Sequence, residues 1–184
     1  MAGADVAGAG VAGAGVRGAG VSDVPREEFR RVTLDDPLVE PLLRELTHEY
    51  VTRYGPGAHQ EMARYPVDAF AEPHGVLLLL LEDGEPVAGG AYKRYDEHTA
   101  EVKRMWTHSA HRRRGLARRV LAELERTAAA AGYRRIHLTT GPRQPEAKGL
   151  YLAAGYTPLF DVTADLTTGP LPFEKSLPAL LPTH

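Results

Sequence analysis

The sequence predicts an α/β domain, with a mixed, mostly antiparallel sheet flanked by helices. Three observations lead there. The apolar run Val76–Leu81 meets the turn signal Asp83-Gly84 and a second apolar run, the pattern of a buried hairpin. Leu116, Val120, Leu124 and Ala128 mark one face of a long amphipathic helix. The order strand–helix–strand–helix–strand comes after the hairpin, which places helices on the faces of a mixed sheet.

Along the chain, residues 1–24 read as a flexible Gly/Ala-rich tail and residues 25–184 as one domain. GADVA, GAGVA, GAGVR and GAGVS start at Gly3, Gly8, Gly13 and Gly18 and offer little side-chain surface to bury. Glycine interrupts every apolar run there, so the segment does not read as a signal peptide. Gly8–Gly13 and Gly13–Gly18 match the spacing of a dinucleotide fingerprint. That motif works only between a buried strand and a helix start, and neither is adjacent.

Phe29–Leu34 suits a first strand. Asp36-Pro37 reads as an N-cap with a first-turn proline, and Val39, Leu42, Leu43, Leu46 and Tyr50 recur at helical spacing until Gly55. Pro41 sets the start of the regular helix near itself. Gly57–Pro73 is ambiguous, with short helical turns around Glu61–Arg64 and Val67–Phe70. Val76–Glu82, Pro86–Tyr95 and Thr99–Thr107 read as strands, the last two joined by the polar turn Asp96-Glu97-His98. Leu116–Ala131 is a helix ended by Gly132, and Arg134–Thr139 is a strand. Pro145–Ala154 is a short helix closed by Gly155, Tyr156–Asp161 a strand, and Phe173–Leu177 a final edge strand.

Composition removes several function classes. With 22 Lys+Arg against 24 Asp+Glu, the 184-residue chain carries a formal charge of −2, which excludes a basic whole-chain footprint for nucleic acid. The absence of cysteine excludes disulfides, a thiolate metal site and a cysteine nucleophile. Val76–Leu81 is too short to cross a bilayer. The expected setting is the cytoplasm, without a nucleic-acid or membrane partner. His108 and His111 lack nearby carboxylates, so no metal is expected.

The strongest chemical signal is His111-Arg112-Arg113-Arg114-Gly115-Leu116-Ala117-Arg118-Arg119, between a strand end and the long helix. A helix N-terminus already carries partial positive charge and free N–H donors, so acidic residues belong there. Five arginines stand there instead, and no Asp or Glu follows until Glu123. A bound anion resolves the conflict, because phosphates accept the free N–H groups and neutralise the guanidinium groups. Gly115 lets the backbone approach such a ligand, and Ala117 keeps the turn uncrowded.

Arg112-Arg113-Arg114-Gly115-Leu116-Ala117, preceded by Glu101–Thr107, resembles the acetyl-CoA-binding signature of the GNAT family of N-acetyltransferases. A second stretch, Gln144–Tyr156 with Ala147, Leu150, Tyr151 and Gly155, is similar to that family's downstream motif. Gln144 stands where the family has Asn, and Ala117 where it usually has Gly. The resemblance covers Phe29 to Leu177 and implies a GNAT-like acyl-CoA N-acyltransferase fold. It implies acetyl-CoA as cosubstrate, with Arg112 and the backbone N–H groups of Arg113, Arg114, Gly115, Leu116 and Ala117 at the pyrophosphate. Backbone groups of Met105 and Thr107, with Gln144, fall along the pantetheine arm. Tyr151 corresponds to the general acid of such enzymes. A homodimer is compatible with the resemblance.

Acyl transfer from a thioester to an amine needs alignment, a polarised carbonyl, a neutral amine and a leaving thiolate. No enzyme nucleophile is needed, which suits a chain whose only serines are Ser22, Ser109 and Ser176. A phenol near pKa 10 stays protonated at neutral pH, so Tyr151 can act as the acid. Glu101, on the strand beside the thioester, is the candidate base. Tyr50, Tyr54 and Tyr92 are weaker candidates for the acceptor pocket. Strand alternation places Lys103 with Glu101 and Met105 on one face, and Arg104 with Val102 and Trp106 on the other. Lys103, Arg104 and Arg94 form a second basic group able to bind a carboxylate on a small-molecule amine. A non-catalytic acyl-CoA-binding regulatory module is the alternative that keeps the arginine loop.

Overall fold

Strand β2 (Val76–Glu82) is buried on both sides, with Val76 to Leu81 each at most 4% exposed, so helices must cover both faces of its sheet. The leucines alternate between the two cores: Leu78 and Leu80 face one, Leu77, Leu79 and Leu81 the other. The structure is a computed structural model that describes residues 24–179. The glycine repeats expected as a tail lie outside the described residues.

The other strands are β1 (Glu27–Val32), β3 (Glu85–Arg94), β4 (Thr99–Thr107), β5 (Arg135–Thr140), β6 (Thr157–Pro158) and β7 (Leu171–Ser176). They form one seven-stranded sheet in the order β1-β2-β3-β4-β5-β7-β6. Every neighbouring pair is antiparallel except β4 with β5. The helices are α1 (Glu40–Tyr54), α2 (His59–Ala63), α3 (Leu116–Ala130) and α4 (Pro145–Ala153). Side chains of α3 and α4 join one core, and α1 builds the other with Phe70, Ala91 and Trp106. Gly90 lets α3 settle closely on β3: a Cβ there would lie 2.7 Å from Met105 Sδ and 3.0 Å from Leu124 Cδ1.

Three differences from the sequence reading matter. Strand β7 is not an edge strand; it lies between β5 and β6, with Leu171 and Phe173 buried, and β6 forms the edge over only two residues. The alternation expected along β4 breaks at a bulge. The β3–β4 register shifts between Gly89 and Ala91, and Arg104 adopts a left-handed φ of 59°. Arg104 therefore joins Lys103 and Glu101 on the α1 face, Met105 turns to the α3 core, and Trp106 sits opposite Val102. Finally, β4 pairs with β5 only from Thr99↔Arg135 to Val102↔Leu138, although both strands run on. Beyond Val102 the sheet is split.

Glu45 on α1 pins the far end of β4. Its carboxylate accepts from Trp106 Nε1 at 3.0 Å, from the Ser109 N–H at 3.0 Å and from Ser109 Oγ at 2.9 Å. Burial works against the charge, but these donors outweigh it and hold the carboxyl below its ordinary value of 4.5. Glu45→Ala leaves those donors unpaired and should cost about 1–3 kcal/mol in denaturant unfolding at pH 7. A depressed folded pKa stabilises above the unfolded value and is lost as pH falls through the folded one. The gap between wild type and Glu45→Ala should thus narrow below pH 4.5, and a gap independent of pH would contradict the assignment.

Candidate active site

The split between β4 and β5 opens into a cavity of about 980 Å³. Residues 102–107 of β4 and 139–142 at the end of β5 form its two lips. The N-terminus of α3 and side chains of α4 reach it from one face of the sheet, and Glu49, Tyr50, Arg53 and Tyr54 of α1 from the other. The cavity thus passes through the sheet. Because β5 has left, Met105 and Thr107 carry an edge with no strand partner on the cavity side.

The arginine cluster divides in two. Arg114 binds the Glu82 carboxylate, Nη1 to Oε2 at 3.1 Å, and Arg119 binds Glu27, Nη2 to Oε2 at 2.6 Å. Glu27 and Glu82 face each other across the β1–β2 ladder. Arg119 therefore does not pair with Glu123, which holds Arg126 instead. The Arg114 side chain is not among those lining the cavity. Arg112, Arg113 and Arg118 line it, and none makes an ion pair among the described residues.

The helix start between them is open. Gly115 caps α3 with φ +73° and no side-chain hydrogen bond, and the first turn contains no acidic residue. The side of Gly115 where a Cβ would project is empty space. Arg113 also has a left-handed φ, +63°, which costs a non-glycine residue about 1–2 kcal/mol. That strain sits beside a ring of free donors. Leu116 anchors the turn by burying its side chain, while Leu116, Ala117 and Gly115 all line the cavity.

Tyr151 of α4 reaches the same space, 6% exposed, with its ring against Tyr156 and Phe173. Burial, with Tyr50 beside it, pushes its phenol well above the ordinary value of 10.0. Its hydroxyl has no protein hydrogen-bond partner among the described residues. Gln144 lines the cavity and steadies the β5–α4 turn: its Oε1 accepts from the Gly141 N–H at 3.1 Å and from Thr140 Oγ1 at 3.2 Å. Its side-chain amide nitrogen keeps its donors.

The second basic group is rearranged. Arg94 lies exposed at the end of β3, paired with Ala100 in the ladder, and does not line the cavity. Tyr92 is buried against Tyr133 in the α3 core rather than in the cavity. Glu101 is also behind the wall: Lys93 Nζ lies 2.9 Å and Lys103 Nζ 3.2 Å from its carboxylate. Burial alone would raise the Glu101 carboxyl, but the two ammonium groups outweigh it and hold it below its ordinary value. Lys103 and Arg104 do line the cavity.

The rim holds residues that the sequence reading did not single out. Arg53 Nη1 donates to the Arg143 carbonyl and Arg143 Nη1 donates back to the Arg53 carbonyl, each at 2.6 Å. Arg53 also pairs with Glu49 and Glu146. Tyr54 Oη accepts from the Arg143 N–H at 3.3 Å, and a Cβ on Gly141 would overlap that hydroxyl. The local sequence signal for this latch is the Glu49–Arg53 pair at i,i+4; its other partners, Arg143 and Glu146, are 90 and 93 residues from Arg53.

Such a cavity suits a protein that anchors a phosphorylated ligand at one end and holds its reactive part between two strands. The chain belongs to the acetyltransferase (GNAT) family, whose profile matches residues 40–156. It is 36% identical over 77 residues to the uncharacterized N-acetyltransferase YsnE of Bacillus subtilis (strain 168), covering 40% of this chain and 51% of YsnE. The chain thus spans about half the length of that curated relative. Its fold is similar to an acetyltransferase of the GNAT family from Staphylococcus aureus Mu50 (TM-score 0.66, 13% identity, 83% of this chain and 100% of that one). It is also similar to yncA from Salmonella typhimurium, solved with its cofactor acetyl-CoA (TM-score 0.63, 14% identity, 86% and 98%). The open α3 terminus and the empty space at Gly115 fit a coenzyme A diphosphate. Among the described residues no helix is long and apolar enough to cross a membrane, and no group of three or more His, Asp or Glu could hold a metal ion.

The division of the arginines is testable by titration calorimetry. Arg112→Ala, Arg113→Ala and Arg118→Ala should each weaken acetyl-CoA binding about tenfold, the worth of a charge-assisted hydrogen bond. Arg114→Ala should change it less than about twofold, because its exposed side chain serves Glu82. Equal weakening by all four would contradict the division.

Proposed function

We propose that the protein is an acetyl-CoA-dependent N-acetyltransferase that acetylates the primary amine of a small molecule by direct attack in a ternary complex. One observation carries the reading: the cavity opened by the split in the sheet holds both an uncapped, arginine-lined helix start and an unpartnered phenol. Anchoring and acid catalysis then share one continuous space.

The coenzyme supplies the thioester carbonyl that the amine attacks. Arg112, Arg113, Arg118 and the N–H groups of the first α3 turn hold its diphosphate. The free edge of Met105 and Thr107 aligns the pantetheine arm by strand-like hydrogen bonds and polarises the carbonyl. Gln144 adds a side-chain donor to that arm. The amine forms the new C–N bond as the C–S bond breaks. Tyr151, which lines the same cavity, would pass its phenol proton to the departing thiolate and regain one from solvent. Water in the cavity takes the ammonium proton, and Glu101 holds Lys103 rather than acting as the base. The reading keeps the expected cytoplasmic setting and a homodimer compatible with the family. A regulatory module that only binds acyl-CoA would have no use for a buried phenol left without a partner.

Tyr151→Phe should lower kcat by about 100-fold or more while changing acetyl-CoA affinity less than about threefold. Thiol release and calorimetry read the two effects. Because burial raises this phenol above 10.0, its ionisation should produce no loss of activity below pH 10. Full activity of Tyr151→Phe would remove the phenol from the reaction.

A further inference from the structure

Arg104 is the most anomalous residue in the cavity wall. It is a cation, 4% exposed, in the left-handed region at the β4 bulge. Its Nη2 donates to the Glu61 and Met62 carbonyls at 3.0 and 3.2 Å, while its buried Nε has no partner. A buried guanidinium normally has a carboxylate beside it, because desolvation without a counter-charge is strongly unfavourable. None pairs with it among the described residues.

The neighbourhood deepens the deficit. Four cations surround the Tyr65 ring: Arg104 at 5.4 Å, Lys93 at 5.5 Å, and Lys103 and Arg64 at 5.9 Å from its centroid. Two carboxylates serve them. Glu101 is shared by Lys93 and Lys103, and Glu61 stands 3.5 Å from Arg64. Two positive charges remain unbalanced, and Arg104 is the one cation of the four with no ion pair among the described residues; it lines the cavity with Lys103 on the α1 face, across the sheet from the α3 helix start.

We propose that Arg104, assisted by Lys103, binds the carboxylate of the acceptor, so that the acceptor is a small amino acid rather than a neutral amine or a polyamine. This rests on the acetyltransferase reading and names the substrate class of that same site. The planar fork of a guanidinium matches a carboxylate. The acceptor carboxylate supplies the missing counter-charge, and its amine is thereby presented to the gap between β4 and β5 from the side opposite the diphosphate. A dicationic acceptor would add charge to a corner that already has an excess.

The test is a thiol-release panel with the full chain and acetyl-CoA, using glycine, β-alanine and γ-aminobutyrate, their primary amides, and diamines of matching length. At least one carboxylate should exceed its own amide about 10- to 100-fold in kcat/KM, and the diamines should be poor. Arg104→Gln should bring that ratio near one by raising KM for the carboxylate alone. A purely structural defect would lower both members of the pair together. Should Arg104→Gln fail to fold, Lys103→Gln and the wild-type ratio remain decisive, since Lys103→Gln should also cut the preference. Amides or diamines turned over as well as carboxylates would overturn the proposal and leave the acetyltransferase reading intact. Absence of acetyl-CoA binding in calorimetry would overturn that reading, and this one with it.

Discussion

The divergence of β4 from β5 governs the molecule's chemistry. Two parallel strands that stayed paired would seal the sheet, and the hydrogen-bonding capacity of their backbones would be consumed within it. Here pairing stops at Val102↔Leu138, and the remainder of each strand borders the cavity. The bulge at Arg104 belongs to the same event, because the extra residue bends β4 away while β3 still holds its other edge as far as Thr107. Glycine at 90 and glutamate at 45 then fix the bent strand, one by letting α3 come close and the other by gripping Trp106 and Ser109.

That opening also sets the electrostatics. The cavity has a cationic group on each side of the sheet, Arg112, Arg113 and Arg118 at the α3 start and Lys103 and Arg104 under α1. Several cations outside the cavity have carboxylate partners: Glu82 and Glu27 take Arg114 and Arg119, and Glu101 takes Lys93 while sharing Lys103 of the cavity wall. Arg112, Arg113, Arg118 and Arg104 line the cavity without an ion pair among the described residues, where partial burial strengthens their pull on an anionic ligand.

Much of this is legible in the sequence, and the limits have physical causes. The Asp83-Gly84 hairpin, the amphipathic α3 and the arginine-glycine helix start rest on local pattern, and the structure has the hairpin, the helix and the uncapped start where that pattern puts them. The bulge is not readable, because an arginine at positive φ leaves no mark in composition or spacing. Simple alternation without it puts every residue of β4 from Arg104 to Trp106 on the wrong face. The positions of Arg94 and Tyr92 escape the sequence because only the ladder register decides which residues reach the gap. Partners such as Glu82 for Arg114 are 32 residues distant in sequence, which periodicity does not encode. The interior place of β7 is likewise a matter of topology, since a short apolar strand reads the same at an edge or between neighbours.

The reciprocal contacts of Arg53 and Arg143 join positions 90 residues apart. They close the rim with groups from the first helix and from the turn after the fifth strand. Such a rim forms only once these two distant segments have met, since loop closure over that distance precedes any reward. A chain ending before residue 143 would therefore lack this side of the pocket's rim.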